Sequence, residues 1–183
     1  GERNTSVGAG SMKVITTGND NTAVGYWSQY GASITGDYNT SIGSNSLKNL
    51  DSGDKNISVG HEAGDVITSG SNNVIVGSGS DPSASSASNQ TVIGYNVTGQ
   101  ADNSVVLGNA DVTAVYMAQD KGATVHAAGA DLSGSTGLIL ENDETITNST
   151  DGTVLINGTV AGGTGSAAGC LLYTSDAADE SSS

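Results

Sequence analysis

The chain has 183 residues, of which 35% are hydrophobic, 4% aromatic and none Phe, so it is poorly supplied for a conventional globular core. With 19 acidic residues against 5 basic ones the formal charge is −14, which excludes nucleic acid and anionic membrane surfaces as partners, because both demand clustered Lys and Arg. Gly occurs 27 times and Pro once, so the chain turns sharply and often without the collagen triplet, and its aliphatic runs are far too short to span a bilayer.

Low hydrophobicity with high charge is a signature of disorder, but here the aliphatic residues fall in register. In chain order come "NTSVG" (Asn4 to Gly8), "NTAVG" (Asn21 to Gly25), "NTSIG" (Asn39 to Gly43), "NISVG" (Asn56 to Gly60), "NVIVG" (Asn73 to Gly77), "QTVIG" (Gln90 to Gly94) and "SVVLG" ending at Gly108. The closing glycines are spaced by 17, 18, 17, 17, 17 and 14 residues. Such a period means one short unit stacked on copies of itself.

The columns of the repeat have distinct chemistry. Val7, Val24, Ile42, Val59, Val76, Ile93 and Leu107 precede the glycines, and Thr5, Thr22, Thr40, Ile57, Val74, Thr91 and Val105 stand two places earlier. Between them lie Ser6, Ala23, Ser41, Ser58, Ile75, Val92 and Val106, small and polar at first, apolar later. Alternation at a period of two with β-branched residues predicts a short strand per copy. We expect the column from Val7 to Leu107 to face inward, with Val59→Asp breaking the stack, and Ile75, Val92 and Val106 to lie on exposed surface.

Asn at the head of most copies suits a turn in which its side chain bonds its own backbone two residues on, and the closing Gly suits positive φ. A second punctuation, Gly18, Gly36, Gly53 and Gly70, each follows an aliphatic residue (Ile15, Ile34, Leu50, Ile67), which predicts a second short strand per unit. Strand, turn, strand, turn at this length winds into a β-solenoid of about 17 residues per coil, and seven coils make a rod of about 34 Å at the usual interstrand spacing. A coil this narrow holds too few inward aliphatics to offset its ordering entropy, so copies of the same chain are expected to cover the rest.

The columns resemble the left-handed parallel β-roll repeats of trimeric adhesin heads and phage tail fibres. "NSVVLG" at Asn103 to Gly108 is similar to the adhesin-head signature, and the longer copies from Asn39 to Gly77 resemble fibre-type repeats. The resemblance covers about residues 1–113 and implies a homotrimer used for attachment at a surface, either on a virion or on a bacterial cell, with self as partner and a host glycan or receptor as target. The 17-residue period favours a fibre over an adhesin head, whose repeats are shorter. No cofactor, metal or catalytic residue is expected, since no motif for one stands in the sequence. A solenoid enzyme acting on polysaccharide is the alternative of another class, and it requires a carboxylate cluster on one face, whereas the acidic residues here sit mainly at turns.

From Ala114 the repeat is lost, and residues 114–169 read as a strand-rich fibre segment with a hairpin around Asn157-Gly158. "CLLYTSDAADE", Cys170 to Glu180, matches a translated transposase-type sequencing adapter over eleven residues, so residues 170–183 are read as a non-native tail and Cys170 as neither nucleophile nor structural thiol. Without its three acidic residues, Asp176, Asp179 and Glu180, the charge is −11 instead of −14.

His61 and His126 have no ligand partners at metal spacing and are read as surface residues. Corners such as "GNDN" (Gly18 to Asn21) and "GDYN" (Gly36 to Asn39) are read as Asx turns in preference to Ca²⁺ sites, for want of an EF-hand run or nonapeptide array. "GSGSDPSASSAS" (Gly77 to Ser88) contains no nucleophile elbow and reads as a flexible loop between coils. One cluster stands out: Tyr26, Trp27, Tyr30 and Tyr38 are candidates either for receptor contact at a rim or for the trimer interface.

Overall fold

The structure, a computed structural model, describes residues 1–118 and positions 125 and 127. The segment beyond them, with the Asn157-Gly158 hairpin, His126 and the Cys170 tail, lies outside the described residues. Seven short strands form one parallel sheet in sequence order: β1 (Thr5–Val7), β2 (Thr22–Val24), β3 (Thr40–Ile42), β4 (Ile57–Val59), β5 (Val74–Val76), β6 (Gln90–Ile93) and β7 (Ser104–Leu107). Equivalent residues of the repeat pair with one another, as in Thr40↔Ile57, Ser41↔Ser58 and Ile42↔Val59. The described residues therefore form an all-β solenoid with coils of about 17 residues. Seven strands enclose six turns, which gives the stack a rise of about 29 Å, one coil less than a count of glycines suggests.

The face assignment of the strands is the reverse of the expected one. Ala23, Ser41, Ser58, Ile75 and Val92 are buried, and Val106 packs against the apolar cluster that contains Ile75 and Val92, whereas Val7, Ile42, Ile93 and Leu107 point out with 41–57% of their surface exposed. Val24 and Val59 are half-buried. The reason is phase: the buried asparagine that opens each of these copies (Asn21, Asn39, Asn56, Asn73) lies two residues before this position, so alternation turns it inward as well, while the two flanking residues stand on the outer face. Serine fits there because its hydroxyl finds acceptors inside. Ser58 Oγ donates to the Ala63 carbonyl at 2.6 Å, Ser46 Oγ to the Ser58 carbonyl at 3.2 Å, and the hydroxyls of Ser28 and Ser41 bond each other. A charge at position 58 or 75 is thus the one that breaks the stack, and Val59→Asp is not.

The interior changes character along the rod. Toward the C-terminal end Leu47, Leu50, Ala63, Ile67, Ile75, Val92 and Val97 form an apolar cluster, whereas the earlier coils bury Ser28, Gln29 and Ser41 beside Met12 and Ala23. Gln29 reaches the Thr22 and Asn39 carbonyls with its amide nitrogen, and its Oε1 is buried without a partner. The second leg of each coil is less regular than expected. Ile34, Leu50 and Ile67 are buried and Ile15 half-buried, but that leg carries isolated bridges, Ile15↔Ile34, Ser71↔Ser88 and Asp81↔Thr98, in place of the expected strands.

Two corner devices set the period. Every closing glycine has positive φ, +137° to +142° from Gly25 to Gly94, as its residue type predicted. The heading asparagines, however, do not make local Asx turns. The left-handed residue is the one before each of them (Arg3, Asp20, Tyr38, Lys55, Asn72), and the asparagine itself points into the stack. Asn21, Asn39, Asn56 and Asn73 are fully buried, and each amide oxygen accepts the backbone N–H of its counterpart one coil on: Asn21 to Asn39 (2.8 Å), Asn39 to Asn56 (2.9 Å), Asn56 to Asn73 (3.1 Å). Each Nδ2 meanwhile donates to the carbonyl of the second-corner residue, Gly36, Gly53, Gly70 or Ala87. One side chain thus ties a coil to its successor and closes its own ring of backbone groups.

An outer ladder runs two residues before it. Asn19 Oδ1 accepts from the Glu2 N–H, Asp37 Oδ1 from Asn19, Asp54 Oδ1 from Asp37 and Ser71 Oγ from Asp54, at 2.6–3.0 Å. Asn19 of "GNDN" and Asp37 of "GDYN" are therefore rungs between coils. The segment from Gly77 to Ser88 is likewise built into the stack and is no linker: Ser80 is buried with its Oγ on the Gly94 carbonyl, and the Ser85 carbonyl accepts from the N–H groups of Thr68, Ser69 and Gly70.

Candidate functional site

The positions that follow each closing glycine form columns on the surface, and the aromatic residues belong to them. Tyr26, Trp27 and Tyr30 stand one, two and five places after Gly25, on a single coil. They stack in series, with ring centroids 4.8 Å apart for Tyr26 and Trp27 and 5.0 Å for Trp27 and Tyr30. The indole lies over Gly10 of the preceding coil, where a Cβ would collide with it. Lys13 and Lys48 occupy the Tyr30 column on the coils to either side, so their ammonium groups reach the rings: Lys13 Nζ is 5.8 Å from the Tyr30 centroid and Lys48 Nζ 5.4 Å from that of Trp27.

Beside this stack the coil departs from the repeat. A single residue separates Lys48 from Leu50 and Asp65 from Ile67, but three, Gly31 to Ser33, separate Tyr30 from Ile34. The bulge is held by Asp51, whose Oδ1 accepts the N–H groups of Ala32 (2.9 Å) and Ser33 (3.3 Å). Next to it opens a groove of about 450 Å³ lined by Tyr30, Gly31, Ala32, Lys48, Asn49, Asp51 and Thr68. The single spacing of 18 in the glycine series is the sequence signal of this bulge, but nothing in the sequence marks Lys48, Asn49, Asp51 and Thr68 as its neighbours, because they join it only through the stacking of coils.

Tyr38 is not part of the stack. It lies at the other corner, 56% exposed with φ +61°, in the column of Arg3, Asp20 and Lys55. There Arg3 grips Asp20 through Nε (2.6 Å) and a terminal nitrogen (2.7 Å), which holds the Asp20 carboxyl below its usual range. The four aromatics thus divide three and one, and only the three build a surface together.

An acidic run continues along the same flank. Glu62 and Asp65 lie on one coil and Asp81 on the next, and partial burial pushes Asp81 up to about 6 and Asp65 upward as well. His61, exposed as expected, lies 3.6 Å from Glu62. An acid whose folded pKa is raised stabilises the fold only when protonated, so this contribution is full below about pH 4 and is lost as pH rises through about 6. We expect stability to increase as pH falls from 7 to 5, before Asp20 and Asp102, both held low, begin to take up protons. Asp81→Asn should abolish most of that increase in denaturant midpoints measured across the range.

Among the described residues no group of three His, Cys, Asp or Glu side chains is placed to hold a metal ion, and no helix is long and apolar enough to cross a membrane. The groove with its aromatic wall and mixed polar rim is suited to hold a small polar molecule against a flat apolar face. No family model, curated protein or solved structure matches this chain.

Proposed function

We propose that this chain is a structural and attachment protein, a segment of a trimeric tail fibre or related virion appendage, whose task is to be a stiff rod. The observation that carries this reading is the outer face of the parallel sheet. Two columns of β-branched and aliphatic side chains run its length in register, among them Ile42, Ile57, Val76, Ile93, Val105 and Leu107, and nothing among the described residues of the chain covers them. A monomer would leave a continuous apolar stripe in water, which is a mark of an interaction surface. Three copies around an axis remove the stripe and leave the acidic corners outside.

A trimeric bacterial adhesin head is the second reading. It is favoured by the last step of the stack, where β6 and β7 pair over four residues at a spacing of 14. The genes flanking the full-length reading frame separate the two: a baseplate or chaperone neighbour belongs to a fibre, a coiled-coil stalk and membrane anchor to an adhesin.

Light scattering tests the trimer. The expected mass is 54 kDa, three times 18.0 kDa. Ile42→Glu, on the outer face, should reduce the mass to that of one chain while the β circular dichroism persists, because a charge there opposes docking more than coiling. A well-folded monomer at millimolar concentration would remove the fibre reading and return attention to a lone solenoid enzyme.

A further inference from the structure

We infer that the groove between the Gly31–Ser33 bulge and the Tyr30 ring is a binding site for a neutral saccharide. The inference rests on the attachment reading and names what is held. The ligand class follows from what the groove offers. One wall is the Tyr30 ring, backed by the indole of Trp27, and a flat aromatic surface is matched by the apolar C–H face of a pyranose. The rim offers donors and acceptors in mixture: the Lys48 ammonium, the Asn49 amide, the Asp51 carboxylate and the Thr68 hydroxyl. Vicinal hydroxyls, each able to donate and accept, satisfy such a rim where a single-sign ligand does not.

Charge selects against an acidic sugar. The chain carries −14 overall, Asp51 lies in the groove itself, and Asp65 is close enough to Lys48 for their charges to interact. Lys48 is further engaged by the Trp27 ring, and Lys13 lies over the Tyr30 ring and is absent from the groove lining, so the cation in the groove is already shared between an aromatic face and an acid. A volume of about 450 Å³ suits one or two sugar rings of a longer chain lying across the coils.

Trp27 is the single Trp of the chain and forms part of the wall's backing, so its fluorescence reports on this site alone. The full chain is titrated with hexasaccharides of glucose, galactose and mannose, and with hexagalacturonate as the acidic comparison. The expected result is a saturating change in Trp27 emission with at least one neutral hexasaccharide, at a Kd of about 1 mM or tighter, and none with hexagalacturonate. Thr68→Val, which leaves the stacked rings and every backbone bond of Thr68 in place, should weaken that binding at least tenfold at unchanged circular dichroism. Tyr30→Ala should do the same, and Tyr38→Ala, at the other corner, should change nothing.

Silence of Trp27 toward all three neutral sugars, a response to the acidic one alone, or undiminished binding by both Thr68→Val and Tyr30→Ala overturns the inference. Light scattering on the same sample keeps the two readings apart. A trimer without a sugar response removes the site and leaves the fibre, and a monomer with one removes the fibre and leaves the site.

Discussion

Gly60→Ala is expected to abolish cooperative folding of the solenoid at its centre. Gly60 closes the β4 coil at φ +142°, a region that residues with a Cβ occupy only under strain of about 1–3 kcal/mol. Strain is the smaller part. A Cβ built there stands 2.6 Å from the Gly77 carbonyl oxygen and 2.7 Å from its carbon, and both belong to the backbone of the next coil. Relief requires the coils to part, which lengthens the bond from the Gly77 N–H to the Val59 carbonyl, now 2.8 Å. The combined loss should exceed about 4 kcal/mol, a size confined to core and backbone lesions. Thermal unfolding followed by circular dichroism should show either no transition or two separated ones, for the coils before and after the lesion. His61→Ala, one residue along and exposed, should shift the midpoint little.

That a glycine recurs every 17 residues is legible in the sequence, and so is the parallel, in-register stack that follows from it. The orientation of the strand is not legible by hydrophobicity. Val7, Ile42 and Leu107 are strongly apolar and yet face out, because the direction of the strand is set by its phase relative to the asparagine corner and not by the hydrophobicity of its members. Ser41 and Ser58 are buried polar groups whose partners lie in other coils or five residues away, beyond what a local pattern shows. The column from Ser6 to Val106 ranges from Ser and Ala to Ile and Val, so neither size nor polarity marks it, and its inward place follows from alternation with the buried asparagine two residues before it. If the outer columns are covered by neighbouring copies, their apolar character reports the assembly and not the monomer core.

The candidate site was legible in half. The density of aromatics around Trp27 points to a surface feature, and the structure joins Tyr26, Trp27 and Tyr30 while setting Tyr38 apart. The difference is one of phase. Tyr26, Trp27 and Tyr30 follow the glycine corner, whereas Tyr38 precedes the asparagine corner, and residues one coil apart at equal phase are closer than residues eight apart in sequence at different phase. Lys13 and Lys48 meet the rings for that reason: both share the phase of Tyr30.

Asn56→Ala should destabilise the rod nearly as much as the glycine lesion, by a different route. The Asn56 side chain donates to the Gly70 carbonyl (2.8 Å) and to Asn39 Oδ1 (3.0 Å), and its oxygen accepts from the Asn73 N–H (3.1 Å) and the Asn73 amide (3.0 Å), all without solvent. Alanine leaves the Asn73 backbone N–H and the Gly70 carbonyl buried without these partners, at about 1–3 kcal/mol each, and adds a small void, so a total of about 3–5 kcal/mol is expected. Asn49→Ala, which removes one exposed bond to the Asp65 carbonyl, should cost under about 1 kcal/mol. Asn56→Asp separates hydrogen bonding from volume. It keeps the shape but turns the donating nitrogen into an oxygen that faces two acceptors, Gly70 O and Asn39 Oδ1, and it buries a carboxylate with no cation beside it. At pH 7 its cost should therefore equal or exceed that of alanine. As pH falls the carboxyl is protonated and regains one donor for the Gly70 carbonyl, so the deficit should shrink steadily toward pH 4, whereas the alanine deficit stays constant. Denaturant midpoints for both variants against pH decide it, and parallel curves would show that the ladder acts by filling space and not by its hydrogen bonds.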